Sequence, residues 1–216
     1  MKKFPSLAAA GLALAKELHE YREATDTLVV AIATGGVLVG AAVARQIHLP
    51  LELLIIRRLL VPDGAVKPVC AVNVGGALVV DESLTTPSAT LSFGMDHAIA
   101  DGLAQLAQRE RIFRGGRAAT DLLRKNVILV DNGIHTGSTM LASIRALRGL
   151  EVGSIIVAVP VADQASRASI EQAADRVVCL GWSDKFGHAG MWYEEFVRPS
   201  EQQIQEFFTT QNTGVN

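Results

Sequence analysis

Short apolar runs alternate along this chain with segments whose apolar residues recur at helical spacing. The apolar runs are rich in Val, Ile and Leu, which is typical of strands covered on both faces of a parallel sheet. We predict strands at residues 28–33, 51–56, 127–130, 153–159 and 177–180. Helical patterns predict helices at residues 6–21, 37–47, 91–113, 139–147 and 164–174. This alternation indicates an α/β fold with a mostly parallel central sheet flanked by helices.

The segment between the second strand and the long third helix breaks this alternation. Two apolar runs, residues 69–74 and 77–80, flank a Gly-Gly pair, which predicts a hairpin. Residues 61–68, in which Lys67 is the only cation, are expected to form a loop that closes over a site and excludes water.

Two apolar segments imitate targeting or membrane signals. Residues 2–15 resemble a signal peptide, but the helical pattern continues to Tyr21, so we favour an amphipathic helix with Ser6 as its N-cap. Residues 28–44 carry no charge, yet they are shorter than the roughly 20 residues of a membrane span and contain three glycines. We therefore expect a cytoplasmic protein with no membrane segment.

Composition narrows the class of protein further. With 216 residues, 49% hydrophobic and 19% charged, the chain is expected to form one globular domain, residues 1–216. A net charge of −2 without a basic block argues against a nucleic-acid partner. Cys70 and Cys179 both lie in apolar runs, which favours buried free thiols over a disulfide, and no Cys/His spacing suggests zinc.

The most informative stretch is VILVDNGIHTGSTM, residues 127–140. An apolar strand ends at Asp131 and Asn132, whose side chains can hydrogen-bond a diol such as the ribose 2- and 3-hydroxyls. A glycine-containing loop and the first turn of a helix follow. Backbone N–H groups in such a loop converge at the positive end of the helix, where they suit a phosphate. An ordinary strand–turn–helix with a glycine-rich connection is the alternative.

Small and hydroxyl residues shape this loop. Gly133 and Gly137 permit backbone angles that other residues resist. One of the hydroxyl residues Thr136, Ser138 and Thr139 is expected to cap the helix.

Residues 127–140 resemble the phosphoribosyl-diphosphate (PRPP) motif of type I phosphoribosyltransferases. Other segments resemble the bacterial "predicted phosphoribosyltransferase" subgroup, so that the resemblance covers nearly the whole chain. These segments are GGVLVGAAVARQIHLPLELLIIRRL, ERIFRGG, IIVAVPVA and GMWYEEF. The resemblance implies the type I phosphoribosyltransferase fold, with a core of residues 1–180, a small hood and tail at 181–216, and a homodimer.

The resemblance also implies a set of PRPP-binding residues. The 5-phosphate would lie in the loop formed by Gly133, Ile134, His135, Thr136, Gly137, Ser138 and Thr139. Asp131 and Asn132 would hold the ribose. The pyrophosphate would meet Thr34, Gly35, Gly36, Arg57 and Arg58, although adjacent strand residues point to opposite faces and we expect only Arg58 to reach it. Mg²⁺ is the implied cofactor, with Asp131 as a ligand directly, through water or through the ribose hydroxyls. A packing turn at 33–36 and a solvated arginine pair are the alternatives.

Three positions depart from the family pattern. Thr34 stands where close relatives have arginine, and Asn132 stands where a second aspartate is usual, so both lower the charge of the site. His135 stands where purine-salvage members carry an aspartate proposed as general base. A histidine can take the proton of an attacking nitrogen, so His135 is our candidate base. A partly exposed loop histidine is the alternative.

The aromatic tail resembles the hood that covers the acceptor in this family. Phe186 is the preferred residue for stacking on a flat acceptor, Trp192 the second, and Lys185 belongs to the same segment. Aromatic residues that only close the edge of the sheet are the alternative.

The expected activity is transfer of a 5-phosphoribosyl group from PRPP to a nitrogen acceptor such as a nucleobase, as in nucleoside salvage. Two other functions are the alternatives. A non-catalytic PRPP or nucleotide sensor would explain Thr34 and Asn132. A dinucleotide oxidoreductase is disfavoured because the glycines at 35–36 lack the G-x-G-x-x-G spacing.

Overall fold

A seven-stranded sheet forms the centre of this computed structural model, which describes residues 2–59, 69–74, 77–81, 93–115 and 120–210. The nine strands of the described residues are β1 (Thr27–Ile32), β2 (Leu51–Leu59), β3 (Val69–Val74), β4 (Ala77–Asp81), β5 (Asn126–Val130), β6 (Ser154–Val159), β7 (Ala162–Asp163), β8 (Arg176–Cys179) and β9 (Trp182–Ser183). The strand order in the large sheet is β4-β3-β2-β1-β5-β6-β8. Strands β2, β1, β5, β6 and β8 run parallel, and β3 and β4 continue the sheet antiparallel at one edge.

Helices cover both faces of the sheet. The six α-helices of the described residues are α1 (Leu7–Glu17), α2 (Val37–Ile47), α3 (Phe93–Arg114), α4 (Ser138–Gly149), α5 (Arg167–Ala173) and α6 (Glu201–Thr210). Apolar residues of α1, α2, α3 and α6 form one core with Val29 and Ala31 of β1, while α4 and α5 form the other with Val30. All six residues of β1 are buried, as expected for a parallel strand between two helical layers. The predicted α/β class with a mostly parallel sheet is confirmed.

The local predictions agree with the structure in most places. The Ser6 hydroxyl accepts a hydrogen bond from the Ala9 N–H at 3.2 Å, which confirms the N-cap of α1. The predicted hairpin is present as β3 and β4. The loop predicted at 61–68, including Lys67, lies outside the described residues. Among the helices that are described, none has both the length and the apolar character needed to cross a membrane.

The cysteines lie far apart in the sheet. Cys70 belongs to β3, second in the strand order, and Cys179 belongs to β8, seventh in that order. Five strand spacings of about 4.8 Å separate these strands, far beyond the span of a disulfide. Cys179 is a free thiol, and burial raises its pKa to about 11.

The order of the strands places two loops at one position. β1 and β5 are parallel neighbours, with Ala31 opposite Val130, so the turn after β1 and the loop after β5 leave the same edge of the sheet. In the sheet, β1 lies between β2 and β5. The chain continues from β1 to β2 on one side of β1 and later returns to form β5 on its other side, so the direction of winding reverses between β1 and β5. Ligands of open α/β sheets bind outside the carboxyl ends of strands at such points.

Candidate functional site

The turn after β1 packs directly against the end of β5. A Cβ atom at Gly35 would lie 2.7 Å from Asn132 Nδ2 and 3.1 Å from Asp131 Oδ1. At Gly36 it would lie 2.5 Å from the Val130 carbonyl oxygen. At Gly36 a Cβ would meet fixed backbone, so glycine is required there, and at Gly35 a Cβ would have to displace the buried Asn132 amide. The structure therefore brings together the glycine pair at 35–36 and the Asp-Asn pair. Thr34 lies in the same turn, and its peptide bond to Ala33 is cis.

The loop after β5 leads into α4 by a sharp turn. Gly137 has a φ of 77° and occupies the N-cap position, so the predicted need for glycine holds there. The prediction was wrong for Gly133, whose φ is not positive; a Cβ there would make a tight contact, 3.2 Å, with the Val161 carbonyl oxygen. The predicted hydroxyl cap is also wrong. No side chain caps α4, and the Thr136 and Ser138 hydroxyls instead lie 3.1 Å apart, hydrogen-bonded to each other.

A cleft of about 330 Å³ opens along this loop. It is lined by Asp131 and by residues 133–140, which are contiguous in sequence. The first turn of α4 contains no acidic residue, so its N–H groups present an uncompensated positive end to the cleft. This arrangement suits an anionic group of the size of a phosphate.

Asn132 is placed differently from the prediction. Its side chain was expected to hold a ribose, but the residue is 6% exposed and does not line the cleft. Its side-chain amide faces the position of Gly35, and its carbonyl oxygen accepts a hydrogen bond from the Tyr193 hydroxyl at 2.6 Å. The close packing of the two loops explains why the amide is withdrawn from the cleft. Asn132 therefore supports its neighbour Asp131.

Asp131 is the carboxylate that opens into the cleft. Burial raises its pKa to about 7, while the Asn132 N–H, which donates to Oδ1 at 2.7 Å, and the Arg198 guanidinium oppose the rise. The carboxyl group therefore keeps its proton to a higher pH than an ordinary aspartate does. A positive charge or a pair of hydroxyl donors arriving in the cleft would favour the ionised form.

The donor set fits a Mg²⁺ ion that arrives with a ligand. Mg²⁺ prefers oxygen ligands, keeps several waters and is often held by one or two carboxylates together with substrate phosphates. Asp131 supplies one such carboxylate, and no cluster of three or more His, Cys, Asp or Glu residues is present in the described part of the chain. These residues can hold a substrate-borne ion.

The aromatic residues at the cleft contact one another. The Phe186 ring is stacked with His135, with centroids 5.6 Å apart and planes at 17°, and its centroid lies 6.3 Å from that of Trp192. The Trp192 Nε1–H donates to the Phe186 carbonyl oxygen at 3.0 Å. Because Phe186 is 2% exposed, it does not offer an open face to an acceptor, which corrects the stacking role expected for it. Lys185 is exposed.

The aromatic segment at 182–196 is hydrogen-bonded to a residue near the other end of the sequence. The Phe4 N–H donates to the Trp192 carbonyl oxygen, and the Glu194 N–H donates to the Phe4 carbonyl oxygen, both at 2.8 Å. Between them, Tyr193 is buried and fastens this segment to Asn132. Burial and the nearby Asp131 charge raise the pKa of the Tyr193 phenol above its ordinary value. The sequence pattern did not predict that Phe4 pairs with this segment.

The remaining predicted ligands are the arginines of β2. The backbones of Arg57 and Arg58 pair with Ala71 and Cys70 of β3. Their side chains lie outside the described part of the structure. Arg198, which the sequence pattern did not single out, is a described cation whose charge acts on Asp131.

Comparison with known proteins agrees on one family. A sequence model described as "phosphoribosyl transferase domain" matches residues 2–195. Two Mycobacterium tuberculosis proteins, from strains CDC 1551 and H37Rv and each named "putative phosphoribosyl transferase", are 29% identical to the chain over 207 residues. These matches cover 96% of the chain and 46% of each relative, so the chain spans about half the length of these relatives.

Solved structures share the fold. The crystal structure of TT1426 from Thermus thermophilus superimposes with a TM-score of 0.79 at 23% identity, covering 97% of this chain and 99% of that one. Purine phosphoribosyltransferase from Pyrococcus horikoshii gives a TM-score of 0.50 at 18% identity, covering 88% and 86%.

Proposed function

The chain belongs to the phosphoribosyl transferase family, and from that premise we propose that it transfers the 5-phosphoribosyl group of PRPP to a nitrogen acceptor such as a nucleobase, releasing pyrophosphate. The observation that carries this proposal is the meeting of three features at one edge of the sheet. They are the anion-suited start of α4, the carboxylate of Asp131 and the tight glycine turn at 35–36. PRPP has a phosphate, a ribose diol and a pyrophosphate, one for each feature.

Each feature takes one part of PRPP in this proposal. The 5-phosphate binds the N–H groups and hydroxyls of residues 133–139, and Asp131 accepts hydrogen bonds from the ribose hydroxyls. The pyrophosphate lies against Thr34, Gly35 and Gly36, with Arg58 as the expected cation from β2. Mg²⁺, when bound with PRPP, supplies positive charge that stabilises the departing pyrophosphate.

The chemistry asked of the chain is positioning and one proton transfer. Asp131 fixes the ribose while the bond from C1 to the pyrophosphate oxygen lengthens and positive charge develops on the ring. The acceptor nitrogen then bonds to C1, and His135 is the proposed base that takes its proton. The His135 side chain is 60% exposed at the cleft, so an acceptor can reach it. We propose Lys185 and Trp192 as hood residues near the acceptor. The proposal includes a cytoplasmic location and a homodimer.

A PRPP or nucleotide sensor without turnover is the second candidate. Thr34 and Asn132 carry no charge at positions where the family usually has charged residues, and the raised pKa of Asp131 lowers the negative charge further. A site with so little charge favours binding over stabilisation of a leaving group.

Pyrophosphate release separates the two candidates. The protein is incubated with PRPP, Mg²⁺ and a panel of purines, pyrimidines and other nitrogen heterocycles, and released pyrophosphate is measured. Acceptor-dependent release that falls by about 100-fold in His135→Ala supports the transferase and its base. Binding of PRPP without release from any acceptor supports the sensor.

A further inference from the structure

A shielded carboxylate lies beside the imidazole of His135. Asp163 Oδ2 is 3.9 Å from His135 Nε2, and the Asp163 side chain is 20% exposed. The imidazole is also stacked with the Phe186 ring, with the two ring centroids 5.6 Å apart. His135 is thus contacted by a carboxylate and an aromatic ring while it still opens to the cleft.

Asp163 is oriented by its own surroundings. Its N–H donates to the Ile134 carbonyl oxygen at 2.8 Å, which ties its backbone to the loop that carries His135. Its Oδ1 accepts a hydrogen bond from the Ala165 N–H at 3.0 Å, and the Ser166 hydroxyl donates to its carbonyl oxygen at 2.8 Å. Because Oδ1 is engaged, Oδ2 is the oxygen directed at the imidazole. The carboxylate is therefore in place before any ligand binds.

We propose that Asp163 is the positioning residue for His135, a role that rests on the transferase function proposed above. The carboxylate favours the tautomer with the proton on Nε2, which leaves the Nδ1 lone pair to act as base. As the acceptor nitrogen bonds to C1, the bond from C1 to pyrophosphate breaks and pyrophosphate keeps the electron pair. The acceptor proton moves to Nδ1, and Asp163 stabilises the resulting imidazolium without being protonated. The 3.9 Å separation is longer than a hydrogen bond and shortens in the reacting complex.

The test compares Asp163→Asn with a matched control. Asparagine keeps an oxygen for the Ala165 N–H and removes only the charge. Glu171→Gln removes a nearby carboxylate that pairs with Arg167 rather than with His135. Long-range ¹H–¹⁵N spectra of the ligand-free proteins report the ring nitrogens of His135, and steady-state kinetics report kcat and KM for PRPP.

We expect Asp163→Asn, but not Glu171→Gln, to move the His135 ring resonances. We also expect Asp163→Asn to lower kcat on the order of tenfold or more, with KM for PRPP unchanged, because Asp163 acts through the base. The same change in a His135→Ala background should have no further effect on kcat.

Unmoved ring resonances would overturn the pairing whatever the activity. The positioning role would be overturned if Asp163→Asn moved the His135 resonances but kept a wild-type kcat. It would also be overturned if Asp163→Asn lowered kcat equally in the wild-type and His135→Ala backgrounds. A wild-type protein that binds PRPP and releases no pyrophosphate with any acceptor would instead remove the transferase function, and the positioning role with it, while the spectra still decide the pairing.

Discussion

Replacing Asp131 with asparagine is expected to stabilise the ligand-free protein at alkaline pH. The carboxyl pKa is raised from 3.8 to about 7, chiefly by burial. Between these values the folded state keeps a proton that the unfolded state has released, so stability falls as pH rises through this window. Asparagine is neutral in both states, and its side-chain oxygen can still accept the hydrogen bond that the Asn132 N–H donates at 2.7 Å.

The size of the stability change follows from the pH range between the two pKa values of Asp131. Each pH unit within it costs about 1.4 kcal/mol of wild-type stability, and the two units from pH 5 to pH 7 therefore cost about 3 kcal/mol. Well above pH 7 the group is ionised in both states and the cost is constant. The advantage of Asp131→Asn over the wild type should accordingly grow by about 3 kcal/mol between pH 5 and pH 8.5.

Urea unfolding at pH 5 and pH 8.5, followed by tryptophan fluorescence, measures this difference. Asp101→Asn is the matched control because Asp101 is an exposed aspartate on α3 and does not line the cleft. An advantage of Asp131→Asn that is the same at both pH values, or a variant less stable than wild type at pH 8.5, would refute the reasoning from burial.

Three further changes test the packing and charge of the site. Gly35→Ala places a Cβ 2.7 Å from the Asn132 amide, so we expect calorimetry to show PRPP affinity reduced by about tenfold or more and urea unfolding to show a loss of about 1–3 kcal/mol. Tyr193→Phe removes the 2.6 Å hydrogen bond to the Asn132 carbonyl and leaves a buried acceptor unsatisfied, which should lower the free energy of unfolding by about 1–3 kcal/mol; unchanged urea unfolding would contradict this. Arg198→Gln removes a cation that favours ionised Asp131, so the pKa of Asp131 should rise further, weakening PRPP binding at pH 7 with recovery at pH 8.5.

The sequence predicted the elements of the fold well because its apolar patterns are unambiguous. β1 after Thr27 and β5 after Asn126 are uninterrupted apolar runs, and both strands are almost wholly buried between helical layers. The pairing of the two-residue strands β7 and β9 was not predicted, since two residues show no periodicity. Helix α6, which lies in the aromatic tail, was also not predicted, although its residue Ile204 is buried.

The sequence predicted the site only in part, because several of its roles depend on contacts between distant segments. Asp131 and the loop after it were identified by a local motif. The withdrawal of Asn132 from the cleft depends on Gly35 and Tyr193, which are remote in sequence. Asp163 lies beside His135 because backbone hydrogen bonds join the motif loop to the segment after β6.

Calorimetric titration of PRPP in the presence of Mg²⁺ measures whether the cleft binds PRPP and whether Asp131 holds it. It is carried out on the wild type, on Asp131→Ala and on Asp101→Ala as the control. We predict that the wild type and the control bind PRPP and that Asp131→Ala loses affinity by at least about tenfold, because the lost carboxylate holds the ribose. A wild type that does not bind PRPP, or an Asp131→Ala protein that binds it equally well, would show that this cleft is not a PRPP site held by Asp131.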